Sequence, residues 1–416
     1  LGKKECTDGE EKEDWPAKKK NQFPEFSEGV AHFCGTLAAV LWAVYYTLTA
    51  LVWLYRARRA LQALAENPVV KPASYDSNPP RVSVLVPAKN EASNIEACLD
   101  ALLDQDYPAL QIIVINDHSL DETPQILSRY SQRYPGRLRV LDAPEMPAGW
   151  TGKNWALAHG VREARGDWLL FTDADTRHEL HSVSSAVVHA EGKDLDLLTL
   201  SPRCLVEGFW EKTLQPAAMG FTGLWFPFYK VNSPRTPITF GNGQYLLIRK
   251  KIYDTLGGHE KVKGAYLEDF ALVREAKQAG RRIECAIGTA IYGTRMYSSF
   301  SGIWKGWRRI FLHAFEKNPY PLALKALSVF VFSALPFLLF PFFTRFALQD
   351  PEDWGRVWGA SLPVLALIGL TIWKTHEVVK APRGYALFHP LAGLVLTGIL
   401  LDAGRMALLK EEVKWR

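Results

Sequence analysis

The sequence predicts an α/β protein, a Rossmann-like, mixed but mostly parallel sheet flanked by transmembrane helices. Three observations predict it. Short apolar runs alternate with longer helix-patterned segments over residues 80–295, the βαβ rhythm of a parallel sheet. One stretch without formal charge precedes this region, and three more follow it. Each is about 17 residues or longer, enough or nearly enough to cross a hydrocarbon layer of ~30 Å.

Taken in order, residues 1–29 are charged and of mixed sign, and are expected to form a disordered tail without a signal-peptide cleavage pattern. The chain opens on Leu1, so a longer natural chain is expected. Residues 30–55 hold no Asp, Glu, Lys or Arg and read as a transmembrane helix. Arg56, Arg58 and Arg59 follow at once, which places that end in the cytoplasm. Within 80–295 the runs "VSVLVP", "QIIVIND", "LRVLD", "DWLLFTD" and "LDLLTL" read as buried strands. "EASNIEACLDALLDQ" and "DETPQILSRYSQRY" read as the helices between them. In such a sheet ligands gather at the carboxyl ends of the strands.

Residues 298–321 carry Phe300, Ile303, Trp304, Trp307, Phe311 and Phe315 at helical spacing, with Lys305, Arg308 and Arg309 turned elsewhere. This is the pattern of an amphipathic helix lying in a membrane interface. Residues 326–401 form a membrane region of two or three spans, over 326–343, 357–373 and 385–401. The first loop between them is acidic (Asp350, Glu352, Asp353) and the second basic (Lys374, Lys380, Arg383), so the second is expected inside. The third span is interrupted by His389 and Pro390, and crossing would carry Arg405, Lys410 and Lys414 outside. A re-entrant or interfacial element is its alternative, and 402–416 is a tail.

With 49 basic and 44 acidic residues the net charge is only +5, which does not suggest nucleic acid as a partner. The five cysteines, Cys6, Cys34, Cys98, Cys204 and Cys285, form no C-x-x-C pair, so neither a zinc site nor a disulfide framework is expected.

Several motifs carry chemistry. "WLLFTDADTRH" turns from core strand to two carboxylates, Asp173 and Asp175. Hard divalent cations take oxygen ligands, and Mg²⁺ often uses one or two carboxylates plus substrate phosphates. The alternative is a solvated turn capping a helix. Asp117 ends a second strand, either to bind a ligand or to close an Asx-turn. Glu268 and Asp269 are neighbours at an expected helix start. Repulsion and burial would raise the pKa of one of them, as a general base needs, whereas the plain reading is two acids on a helix dipole. Residues 214–230 are apolar but too short to span, and suit either a core helix or the wall of a lipid groove. His178 and His181 would share a face of a helix, the weakest of the metal candidates.

"VSVLVPAKNEASNIEACLDALLDQDYP", "VINDHSLDET", "GKNWALAHGVREARGDWLLFTDAD", "GNGQYLLIRKKIYDTLGG" and "YLEDFALVREAKQAGRR" follow one another in order. Together they resemble a family 2 glycosyltransferase with a GT-A fold, over residues 80–300. With the membrane segments, the resemblance is to bacterial lipid-directed members, the hopene-associated and carotenoid (diaponeurosporenoate) glycosyltransferases, and more distantly to ceramide glucosyltransferase. It implies a nucleobase and ribose pocket at Pro87, Ala88 and Glu91, a nucleoside-binding acid at Asp117 and a nucleotide contact at Lys153. It also implies the metal motif at Asp173 and Asp175, a donor-sugar and acceptor loop at Gly241, Asn242 and Gly243 beside Glu268, and a catalytic base at Asp269. Many relatives carry Gln-x-x-Arg-Trp where this chain reads Lys305 to Arg309, which leaves Arg308 as the candidate diphosphate contact.

The function expected is therefore transfer of one sugar, with inversion, from a nucleotide-sugar donor (a UDP-sugar first) to a lipid acceptor, with Mg²⁺ or Mn²⁺. The setting is a bacterial inner membrane with the catalytic domain cytoplasmic. A processive polysaccharide synthase and a non-catalytic nucleotide-binding scaffold are the rivals. A dehydrogenase is disfavoured, because "PAKNEASN" stands where a G-x-G-x-x-G would open the first helix.

Overall fold

The structure is a computed structural model that describes residue 2 and residues 24–75, 78–352 and 354–411. Helix α1, Pro24–Glu66, is 43 residues long and exceeds the expected span at both ends. Neither Pro nor Gly interrupts it between Tyr55 and Glu66, and Pro68 then bars continuation. Of the expected tail, residues 24–29 are helical and the remainder, Gly2 apart, lies outside the described residues.

The α/β domain begins with β1 (Val82–Ala88), α2 (Ile95–Leu103), β2 (Leu110–Asn116), α3 (Thr123–Arg133) and β3 (Leu138–Asp142). It continues through α4 (Gly152–Val161), β4 (Trp168–Phe171), β5 (Thr176–His178), α5 (Ser182–Gly192), β6 (Leu197–Ser201) and β7 (Arg203–Cys204). Two helices, α6 (Phe209–Trp225) and α7 (Phe228–Val231), lead to β8 (Leu246–Arg249). Then come α8 (Lys250–Thr255), α9 (Gly258–Lys261), α10 (Glu268–Gln278), β9 (Ile283–Ile287) and β10 (Tyr292–Thr294).

Seven strands form one sheet in the order β3-β2-β1-β4-β8-β6-β9. Every pairing is parallel except those of β8, which runs against both β4 and β6. β5, β10 and β7 make a small second sheet. Alternation along β1 sorts its side chains to two faces. Val82, Val84 and Val86 pack with Leu99 and Leu102 of α2, and Leu85 packs with Ala156 and Leu157 of α4. All four strand residues are fully buried, each worth about 1.5–3 kcal/mol relative to exposure. That double-sided burial is why the strands read as unbroken apolar runs. The chain steps outward from β1 to β3 and then returns to β4 on the other side. The β1/β4 boundary is thus the point of reversal where a crevice opens beyond the strand ends.

The rest is helical: α11 (Phe300–Ala314), α12 (Pro319–Val329), α13 (Leu335–Gln349), α14 (Trp354–Val378) and α15 (His389–Leu409). A π-helical turn at Phe330–Ala334 joins α12 to α13. Four stretches are long and apolar enough to cross a membrane: Gly35–Glu66, Pro319–Gln349, Trp354–Val378 and Arg383–Leu409. Their packing separates them. Trp42 of α1 stacks on Phe343 of α13 at 3.5 Å, and Trp53 donates to the Phe332 carbonyl, so these two run antiparallel. Trp42, Tyr46 and Trp53 share a core with Val364, Ile368 and Ile372 of α14. α15 packs instead with α6, α11 and α12, in the core that holds Leu214, Trp307, Leu322 and Leu396. Outward-facing Leu41, Leu48 and Leu51 on α1 are more than half exposed, as lipid-facing residues would be.

Candidate active site

The ends of β1, β2 and β4 present their residues to one cavity of ≈ 140 Å³, lined by Pro87 and Ala88 at the end of β1, Glu91 beyond it, Asp117 after β2, and Asp173 and Asp175 after β4. The Asp117 amide donates to the Ala88 carbonyl at 2.8 Å, locking two strand ends together. The Asp117 side chain meets Lys89 Nζ at 3.1 Å and His118 Nδ1 at 3.2 Å. Asp121 accepts from the amides of Thr123 and Ala92, both at 3.0 Å, an Asx-turn that opens α3 and orders the loop after β1.

Lys153 stands in the first turn of α4. It is buried, and its Nζ bridges Asp173 Oδ1 at 2.8 Å and Glu268 Oε1 at 2.6 Å. The two carboxylates hold it firmly protonated despite burial. Among the described residues, the Asp175 carboxylate has one long side-chain contact, 3.4 Å, from the Thr294 hydroxyl. Burial, then the charges of Asp173 and Glu91, push its carboxyl well above the usual range.

Four acids thus line one cavity, where Lys153 pairs with Asp173 and Lys89 with Asp117. Among the described residues no group of three His, Cys, Asp or Glu forms a closed metal cage. A pair of carboxylates on one side with room beyond suits Mg²⁺ or Mn²⁺, which fills its remaining positions with water and phosphate oxygens. The histidines serve otherwise. His178 ends β5 rather than starting a helix, and is buried between Thr172 Oγ1 at 3.0 Å and Ser182 Oγ at 3.1 Å. His181 meets Asp106 at 2.7 Å.

A second cavity of ≈ 220 Å³ adjoins the first, and Lys153, Asp173, Gln244, Tyr297 and Arg309 line both. Asp269 and Glu268 lie on its floor, and Phe226, Phe240, Phe270 and Trp307 are among its walls. The loop at Gly241, Asn242 and Gly243 presses against the start of α10. A Cβ on Gly241 would lie 2.4 Å from the Asp269 carbonyl oxygen, and one on Gly243 would lie 2.9 Å from Lys153 Nζ. Close approach, not a left-handed turn, therefore demands glycine at both places. The Gly243 amide donates to Asp269 Oδ2 at 2.6 Å. Asn242 turns inward, donating to the Leu200 carbonyl at 2.8 Å and to Tyr292 at 3.1 Å. Burial, then the adjacent Glu268 charge, raise the Asp269 carboxyl from 3.8 to about 7.

Arg308 requires a correction. It lines neither cavity, and its Nη1 lies 2.9 Å from Asp402 of α15. Arg309, one residue on, lines both. The helical rotation of about 100° per residue sends the two guanidiniums to different surroundings. Nothing in the local sequence says which of them faces the crevice.

Residues 83–257 match the family described as Glycosyl transferase family 2. The "Probable glycosyltransferase YdaM" of Bacillus subtilis is 40% identical over 106 residues, a match spanning 25% of this chain and 25% of that protein. The "4,4'-diaponeurosporenoate glycosyltransferase" of Staphylococcus aureus is 24% identical over 283 residues, covering 65% of this chain and 71% of its own length. Among solved structures, "Mannosyltransferase PcManGT from Pyrobaculum calidifontis in complex with GDP-Man and Mn2+" superposes with a TM-score of 0.52 at 20% identity, over 91% of this chain and 100% of that one. The fold is GT-A, and residues 83–257 of the chain are similar to glycosyl transferase family 2.

Proposed function

We propose that this chain is a membrane-seated glycosyltransferase that moves one sugar, with inversion, from a nucleotide-sugar donor to a lipid acceptor. The observation that carries the reading is the crevice itself. Its polar half holds an under-compensated acidic pair, and its aromatic half holds a carboxyl poised near neutrality. The Pyrobaculum relative was solved with GDP-Man and Mn²⁺, and the same half of this crevice suits a nucleoside diphosphate sugar, with UDP the first to test. The Staphylococcus relative is named for 4,4'-diaponeurosporenoate. Phe226, Phe240 and Phe270 here give an apolar acceptor a surface to lie on.

In this reading Pro87, Ala88, Glu91 and Asp117 hold the nucleoside, and Asp173 and Asp175 hold Mg²⁺ or Mn²⁺. The cation supplies positive charge to the leaving diphosphate. Lys153 keeps Asp173 and Glu268 in place and adds fixed charge beside them. Asp269 takes the proton of the acceptor O–H as that oxygen bonds to the anomeric carbon. The bond to the diphosphate breaks on the opposite face, and its electron pair leaves with the nucleotide.

The test is nucleotide binding and turnover by the full chain in detergent. With Mn²⁺ and UDP or GDP at about 100 times Kd, mass action adds about 2.7 kcal/mol of apparent stability, read as a raised melting temperature that EDTA removes. Donor and a lipid extract should then yield a singly glycosylated lipid of inverted anomeric configuration. A ladder of long products would favour the processive synthase, and metal-independent binding without turnover would favour the scaffold.

For orientation we propose that α1, α13 and α14 cross the bilayer and α15 stays on the cytoplasmic side. An added Cβ at Gly393 would meet Ala334, and one at Gly404 would meet Leu322, so α15 runs back along α12 toward the α/β domain. This keeps Arg405 and Lys410 with the basic loop, as the positive-inside rule asks. In a cysteine-free background, Gln349→Cys in intact cells should react with an impermeant maleimide, and Lys410→Cys should react only after permeabilisation. The reverse pattern overturns the arrangement.

A further inference from the structure

A third cavity, of ≈ 160 Å³, adjoins the crevice between α1, α6 and α14. Ala60, Ala63 and Leu64 at the end of α1 line it on one side, and Thr375 and Val378 at the end of α14 on the other. It is mainly apolar, with Arg59 and Lys374 as the cations among its lining residues. It shares Ser201, Met219, Gly223, Phe228 and Val379 with the cavity that holds Asp269. The common wall is thus partly an α6 face carrying a glycine and a flexible methionine. Gly223 is exposed there, and a Cβ built on it meets no atom within 4 Å.

We propose that this cavity holds the apolar chain of the acceptor lipid, admitted between the ends of α1 and α14 and passing Gly223 to bring its nucleophilic end to Asp269. The inference rests on the lipid-acceptor reading above and adds the route. Three features point to one elongated apolar occupant. The lining is hydrocarbon, as a pocket for an apolar ligand requires. The cavity is continuous in its walls with the catalytic one, so a chain seated in it already reaches toward the base. Arg59 and Lys374 stand at helix ends, the depth at which anionic groups of the membrane surface gather. A small residue at 223, in the last turn of α6, leaves the passage without a bulky side chain.

The probe is hexadecanol bearing a mid-chain diazirine, photolysed with the full chain in nanodiscs and mapped by mass spectrometry. Label is expected on Met219, Leu224 or Leu64. Gly223→Phe, whose Cβ meets no atom within 4 Å and which gains helix propensity, should cut that labelling at least fivefold, and Gly223→Ala should retain it. Ala63→Trp, which narrows the cavity from α1, should act as Gly223→Phe does, so the result does not hang on one helix. Each variant is first required to keep the wild-type Mn²⁺-nucleotide melting shift. Labelling that is unchanged in both blocking variants, or confined to outward residues such as Leu41 and Leu48, overturns the inference and leaves the transferase reading standing. Loss of the nucleotide shift in the wild-type chain would instead count against that reading.

Discussion

Asp269→Asn is expected to retain nucleotide binding and lose sugar transfer by about 10²–10⁴-fold, the range general-base catalysis contributes. Asp269 lines the aromatic half of the crevice and is absent from the lining of the acidic half proposed to take the donor. Its loss should therefore appear in kcat, with the donor's melting shift intact. The pH profile is the finer check. Burial and Glu268 raise the carboxyl from 3.8 to about 7, and a base works only when ionised. Transfer should fall about tenfold per unit below that value, and level off above it. Stability moves the other way. The folded chain keeps this proton between 3.8 and about 7 while the unfolded chain has released it, so stability declines as pH rises through that window. The pair of opposed trends belongs to one group, and Asp269→Asn removes the contribution of that group to both. A wild-type rate flat from pH 5 to 8, or a variant with unchanged turnover, would dismiss Asp269 as the base.

What the sequence made legible follows from how burial writes itself into composition. β1, β2, β4 and β6 could be read because strands covered on both faces must be largely apolar, and β3, a half-exposed edge strand, by its bounding turns. Asp117, Asp173 and Asp175 stood out because a carboxylate directly after such a run falls at the ligand-binding edge. β5, β7 and β10 have only two or three residues each, too few for any period to register. The direction of β8 is likewise silent, since an antiparallel insertion between covered neighbours is just as apolar. The bridge from Lys153 to Glu268 joins positions far apart in the chain, and no local pattern announces it. Hydropathy placed α15 among possible spans because it measures length and apolarity. It does not register that one face of α15 packs against α6, α11 and α12.

Exchanging the two arginines of α11 should separate chemistry from architecture. Arg309→Ala is expected to lower kcat about 10²–10³-fold, the usual effect of deleting one fixed charge or donor aimed at a developing anion. Arg309 lines both halves of the crevice, so it stands where a departing diphosphate would lie between Asp173 and the aromatic wall. Lysine at 309 should restore only part of the rate, because an ammonium cannot match the two-point grip of a guanidinium on phosphate oxygens. Arg308→Ala should behave differently. Its partner Asp402 also accepts from Trp304 at 2.9 Å and pairs with Arg405 at 3.1 Å, so the acid is left partly satisfied and the loss is about 1–3 kcal/mol of stability. The melting temperature should drop while kcat stays near the wild-type value. Comparing kcat and melting temperature across the two variants decides the matter. If Arg308→Ala is the one that stops turnover at intact stability, the Asp402 ion pair must open during catalysis, and α11 must turn relative to the crevice described above.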